Sequence, residues 1–272
     1  MASMNNQSVY DRPIEIADHI YWVGFHDVTS NLHCNPYLII EGDQAVLIDG
    51  GSRSDFADVM MKILQTGISP NQIVALIYHH TDPDLCSSMS NLIDICENPK
   101  LMILSESRNN TFLSFYIERE HRTLLRSIDE FSNGFTLAGR TLQFFKTPYA
   151  HEAGSFVTYD PKTKTLFSSD LFGSFSSQWE LYVDLMDGCH SCIDYDHCIY
   201  QRKSCPMLEI LKFHARIMPS EKSLRYAMDV IRKLDVDRIA PQHGSIFRNK
   251  VDIDVLIERL GGLNGVGMDR IL

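Results

Sequence analysis

Residues 73–84 read IVALIYHHTDPD. The first six form a continuous apolar run rich in β-branched residues, which predicts a strand buried on both faces. His79, His80, Asp82 and Asp84 follow at once, where the strand ends and the chain turns. Loops at sheet ends are where a rigid scaffold presents binding and catalytic groups. The arrangement recurs three times. TLQFFKTP (141–148) is followed by His151, TLFSS (165–169) by Asp170, and DRIAP (237–241) by His243 and Gly244.

Outward from this stretch the pattern is mixed. HIYWVGF (19–25), NPYLIIEG (35–42) and AVLIDGG (45–51) predict strands. Apolar residues at helical spacing predict a helix over 55–66, capped by Ser54 and ended by Gly67. A helix over 83–96, a strand at 101–105 and mixed helical structure to Ile128 follow. In the second half, SFVTYD and TLFSSD predict strands around a turn at 161–164, with helices over 195–214, 221–234 and near 252–260. No repeat or low-complexity linker interrupts the chain. Two α/β halves of this kind predict an αββα sandwich, two sheets with helices outside, as one domain over 1–272 with its core at about 15–260.

The 272 residues are 44% hydrophobic and 22% charged, an ordinary globular composition that argues against disorder. There is no glycine or heptad period, which excludes collagen and coiled coil. With 25 basic against 35 acidic residues the net charge is −10, a poor match to nucleic acid or an anionic membrane. The start, MASMNNQSVYDRPIEI, has no apolar core, so no signal peptide is expected. No apolar run is long enough to cross a bilayer. A cytoplasmic protein is the expectation, with its seven cysteines as thiols. The 11 histidines are the one skewed count.

Three of them explain part of that skew. His80, His151 and His243 with Asp82, Asp84 and Asp170 supply three nitrogens and three carboxylates, enough for two metal ions with a bridging carboxylate. In an extended loop, His80, Asp82 and Asp84 would project to one side. Equal shares of imidazole and carboxylate, with no cysteine an obvious member, suit iron or manganese better than structural zinc. His19, His121 and His214 read as surface or satisfied core residues. Asp49 reads as a supporting acid that holds the metal-bearing loop by hydrogen bonds.

LIDGG, HTDPD, TPYAH, SSD and PQHG resemble, in order and spacing, the motifs of the metallo-β-lactamase superfamily. An acid at Asp82, where its hydrolases have a second histidine, resembles the flavodiiron branch, as do the short TPYAH and SSDLFGSF segments. The resemblance implies that His80, Asp82 and His151 bind one iron, Asp84 and His243 a second, and Asp170 bridges the two. Asp82 is shorter than the glutamate usual there. Leu85 stands where a histidine often sits, leaving the second iron ligand-poor unless His79 or water substitutes. An apolar neighbour beside an open position suits O2 and disfavours hydrolysis.

Flavodiiron reductases also carry a flavodoxin-like domain with FMN. About 30 residues follow DRIAP here, so no FMN-binding domain is expected in this chain. Stand-alone members of the branch resemble oxygen-binding sensors, some linked to chemotaxis. The resemblance therefore implies an O2-binding diiron protein with a signalling or electron-transfer partner, and a homodimer. One alternative is an oxidoreductase acting on O2 or NO, fed by separate flavin or rubredoxin partners. A zinc hydrolase with a degenerate motif is the other. Leu85, Tyr149, Phe172, Phe175, Trp179 and Tyr182 are candidates for an O2 pocket, with core or dimer interface as the alternative for the aromatics.

Cys189, Cys192, Cys198 and Cys205 stand apart, spaced C-x2-C-x5-C-x6-C beside His190 and His197. This is not a zinc-ribbon spacing, and no thioredoxin-like strand precedes it. Thiols, an auxiliary metal or redox site, and disulfide chemistry under oxygen are the three readings. A helix over 195–214 would place Cys198 and Cys205 on one face.

Overall fold

The computed structural model describes residues 9–25, 33–175, 179–195 and 197–271. Residues 1–8, the start of the segment read for a signal peptide, lie outside them. The described strands form two sheets, interleaved along the chain with helices, the mixed α/β class that the sequence predicts. Contacts divide the chain into two compact units. The first comprises the described residues up to Phe144 together with Asp160–Thr163, and the second those of Phe145–Tyr159 and Lys164–Leu272.

The first unit holds a seven-stranded sheet in sequence order: β1 (Ile14–Ala17), β2 (Ile20–Trp22), β3 (Tyr37–Glu41), β4 (Gln44–Ile48), β5 (Ile73–Ile77), β6 (Met102–Ser105) and β7 (Leu125–Ser127). Pairing is antiparallel as far as β4 and parallel from β4 onward. Leu47 pairs with Leu76 and Leu76 with Ile103, so the C-terminal ends of β4, β5 and β6 align. That alignment sets Asp49, His79 and Glu106 along one sheet edge, where α/β folds place ligand sites.

Helix α1 (Phe56–Gln65) buries Val59, Met60 and Ile63 against this sheet's core. Its N-cap is Asp55, not Ser54, and Ser52 Oγ donates to the Asp55 carboxylate at 2.7 Å. The helix expected over 83–96 is two: α2 (Pro83–Cys86) and α3 (Met89–Cys96). The break falls at Ser88, fully buried, whose hydroxyl donates to Gly50 O at 3.0 Å. A serine that bonds a neighbouring loop competes with helix continuation. Helix α4 (Ser107–Leu113) follows β6.

The remaining strands are β8 (Phe135–Leu137), β9 (Arg140–Lys146), β10 (Phe156–Asp160), β11 (Thr165–Phe167) and β12 (Arg238–Ala240), in the sheet order β12-β11-β10-β9-β8. In the second unit, β11 and β12 run parallel, with Phe167 opposite Ala240. Pairing continues past both strands, as Ser168 N donates to Ala240 O and Gln242 N to Ser169 O. The segments ending at Asp170 and His243 therefore leave the sheet side by side. Helices α5 (Asp187–His190), α6 (Pro206–Ile217), α7 (Glu221–Ile231) and α8 (Lys250–Gly261) complete the unit, with Leu224, Met228, Ile253 and Leu256 in its core.

The helix expected over 195–214 begins only at Pro206. The described residues from 195 to 205 form turns and irregular backbone. Proline is favoured at the first helical position and cannot sit inside the turn that follows. Cys198 and Cys205 therefore do not share a helix face.

Candidate metal centre

In the first unit the candidate ligands leave the end of β5. His79 is fully buried and doubly held by Asp49, whose Oδ2 lies 2.6 Å from His79 Nδ1 and whose Oδ1 accepts from the His79 backbone N at 3.1 Å. The Asn109 amide on α4 donates to His79 O at 3.2 Å. The turn is thus fixed from two elements before His80 begins. His80 is also fully buried, with Nε2 3.7 Å from Asp82 Oδ2.

Asp82 is the N-cap residue of α2, in extended backbone conformation, and Pro83 opens the helix. Asp84 consequently lies inside α2, and the extended loop expected over 80–84 stops at Asp82. The two acids diverge: Asp82 faces His80, whereas Asp84 Oδ2 lies 3.7 Å from Cys34 Sγ, which donates to it. Cys34 is buried, a thiol beside this carboxylate that the sequence, in which no cysteine is an obvious member, does not point to. Leu85 is fully buried in the unit's core and offers no donor atom.

In the second unit three ligand-type side chains meet. A tight loop after β9, closed by Thr147 N to Ser155 O and Tyr149 N to Glu152 O, presents His151. His151 Nε2 lies 3.2 Å from Asp170 Oδ2, and His243 Nε2 lies 3.8 Å from Asp170 Oδ1. One carboxylate thus turns a different oxygen toward each imidazole. Glycine is required beside it: a Cβ on Gly173 would stand 2.8 Å from Asp170 O and from the Phe213 ring. Gly244 has φ +80°, and a Cβ there would stand 2.5 Å from Ser174 Oγ.

The surroundings of these groups are apolar and hydrogen-bonded. Trp179 Nε1 donates to Gly244 O at 2.8 Å, bracing the turn that carries His243. Phe213 on α6 meets the His243 ring edge-on at 6.1 Å and Phe175 at 4.7 Å. His214 beside it is fully buried: its Nδ1 lies 2.7 Å from Ile210 O, and its Nε2 accepts from Phe172 N at 2.9 Å. Burial pushes its pKa down to about 4. It is a satisfied core residue that holds the Asp170 loop. Tyr149 is 54% exposed, and Tyr182 lies under the Arg248 guanidinium, 4.5 Å from the ring centre.

Among the described residues, those with ligand atoms placed to take part in holding a metal are Cys34, His80 and Asp84 of the first unit and His151, Asp170 and His243 of the second; Asp82 is not one of them. Cys34, Phe213 and His214 were not legible as participants. Cys34 is distant in sequence from Asp84, and the pair on α6 reads as part of an ordinary amphipathic helix.

A family model described as ODP family beta lactamase matches residues 32–244. A nitric oxide reductase of Moorella thermoacetica is 26% identical over 252 residues, which are 87% of this chain and 58% of that protein. The chain thus spans little more than half of that relative's length. The flavodiiron protein of Giardia intestinalis superposes with a TM-score of 0.76 at 19% identity, covering 92% of this chain and 59% of the other. The chemotaxis sensor ODP, solved as a peroxy diiron species, superposes with a TM-score of 0.72 at 22% identity and covers 95% of this chain and 97% of its own. Its apo state from T. denticola gives 0.73 at the same identity. These likenesses establish the metallo-β-lactamase-like fold that the motifs imply.

Proposed function

Because the chain belongs to the family described as ODP family beta lactamase, we propose that it is a non-haem diiron protein that binds O2 and reports it to a signalling partner of the chemotaxis type. The observation that carries this reading is the Asp170 carboxylate, with one oxygen toward His151 and the other toward His243. A carboxylate shared in this way is suited to bridge two cations. His80, Asp82 and His151 would hold one iron, Asp84 and His243 the other, and Asp170 both.

The donor chemistry fits that pair. Buried imidazoles and carboxylates are ligands of borderline and hard cations, and a mixed set with open positions suits iron. The side-chain amide of Gln242, the residue before His243, is buried and makes no hydrogen bond among the described residues. When bound, the iron pair supplies the electrons that let a weak ligand such as O2 be held.

The chain's own residues do the positioning. Asp49 locks His79 and thereby the backbone that carries His80. Cys34 orients the Asp84 carboxylate through its thiol, and Trp179 and His214 hold the two loops of the second unit. Leu85, Phe172 and Phe213 are buried apolar groups that exclude water. No helix among the described residues is long and apolar enough to cross a membrane.

A second reading, an oxidoreductase acting on NO or O2 with electrons from separate flavin or rubredoxin donors, draws on the relative named nitric oxide reductase. Elemental analysis of anaerobically purified protein, followed by NADH-linked assays with added redox partners, tests both. Two irons without turnover support the sensor. Two irons with sustained turnover support the reductase. Zinc in place of iron, with esterase or lactamase activity, overturns both.

A further inference from the structure

The segment that carries Cys34 is fixed by the backbone of the first unit. Val23 N donates to Pro36 O at 3.0 Å and Phe25 N to Cys34 O at 3.3 Å, an antiparallel pairing just ahead of β3. The approach is close enough that a Cβ on Gly24 would collide with Cys34 O. Trp22 Nε1 donates to Asn35 Oδ1 at 2.8 Å, and the Lys62 ammonium on α1 donates to Gly24 O. The buried Cys34 side chain is thereby set with its Sγ 3.7 Å from Asp84 Oδ2.

A thiol is a weak donor, and 3.7 Å is long for a hydrogen bond. Two ligands of one ion, a sulfur at about 2.3 Å and a carboxylate oxygen at about 2.1 Å, lie about 3.6 Å apart at a tetrahedral angle. The spacing of Cys34 and Asp84 matches that of a shared ion. Helix α2 has no second donor to offer there. Leu85 is fully buried in the core of the unit, and the Cys86 thiol donates to His80 O at 3.4 Å.

We infer that Cys34 is itself a ligand, its thiolate binding the ion that Asp84 holds and standing in for the donor missing at Leu85. This assignment rests on the diiron reading and adds sulfur to a set of imidazoles and carboxylates. Binding forms one metal–sulfur bond and breaks the S–H bond; the proton passes to solvent and no oxidation state changes. A thiolate is the softest donor of the set, so it favours iron or zinc over manganese at that position.

The test is anaerobic cobalt(II) binding to the full chain and to its Cys34→Ser variant. Wild type is expected to show thiolate-to-cobalt absorption in the near ultraviolet. Cys34→Ser should lose the share of one cobalt–sulfur bond while cobalt held by histidine and aspartate remains. It should also bind its second metal at least about tenfold more weakly against a chelator. Serine can still donate to Asp84, so a cysteine that only orients the carboxylate would leave the absorption unchanged. X-ray absorption of iron-loaded wild type should find sulfur at about 2.3 Å from iron, a result that no folding defect of a variant can obscure. Full metal content with unchanged absorption in Cys34→Ser, or no sulfur beside iron in wild type, overturns the ligand and leaves the iron pair standing. Failure of wild type to bind cobalt or iron at all overturns both.

Discussion

Acid should act on this protein through one buried imidazole, His214. Burial holds its pKa at about 4, against 6.5 for the free side chain. Between those values the unfolded chain binds a proton that the folded chain refuses, so stability falls as the pH drops through the window and is full above it. For a single site with these two values the loss between pH 7.5 and pH 5 is about 2 kcal/mol, approaching about 3 kcal/mol well below pH 4. Other groups titrate as well, so the variant His214→Gln supplies the comparison. Glutamine can still accept from Phe172 N but has no proton to gain. Urea unfolding followed by the fluorescence of Trp22 and Trp179, at pH 7.5 and pH 5, should show wild type losing about 2 kcal/mol more than the variant. A His214→Leu variant should lose about 1–3 kcal/mol already at pH 7.5, because Phe172 N is left without its acceptor. Equal acid losses in wild type and His214→Gln would refute the reasoning.

Asp49→Asn keeps the shape of the His79 contact but removes the charge that orients the ring. It should weaken metal binding by about 10- to 100-fold in competition with a chelator, and an unchanged affinity would count against Asp49 as a support. Asp160→Ala should cost about 3–5 kcal/mol in urea unfolding, since it removes the buried carboxylate to which the Arg140 Nη2 donates at 2.6 Å and leaves that guanidinium only Asp18 O and the more distant Glu41 carboxylate. A cost below about 1 kcal/mol would mean the pair is solvated in the folded protein.

The strand ends were the legible part of this molecule. A buried strand that stops in polar residues betrays its edge in one dimension, which is why the elements carrying His80, Asp170 and His243 lie close to where the pattern puts them. Parallel pairing of β11 with β12 then brings Asp170 and His243 together, and no local signal specifies that register. Pro83 ends the extended segment one residue before Asp84, so an alternation argument carried past a proline misdirects that side chain. Cys34 escaped because its contact with Asp84 is tertiary, and a lone cysteine has no period. The helix expected over 195–214 starts only at Pro206, because proline is favoured at the first helical position.

The account stands most directly on the response of the reduced protein to O2. Anaerobic protein loaded with ferrous iron, mixed with oxygenated buffer, should take up one O2 for each iron pair and develop a new visible absorption band. Asp170→Asn should do neither. Retention of both responses in Asp170→Asn, or their absence from iron-loaded wild type, would contradict it.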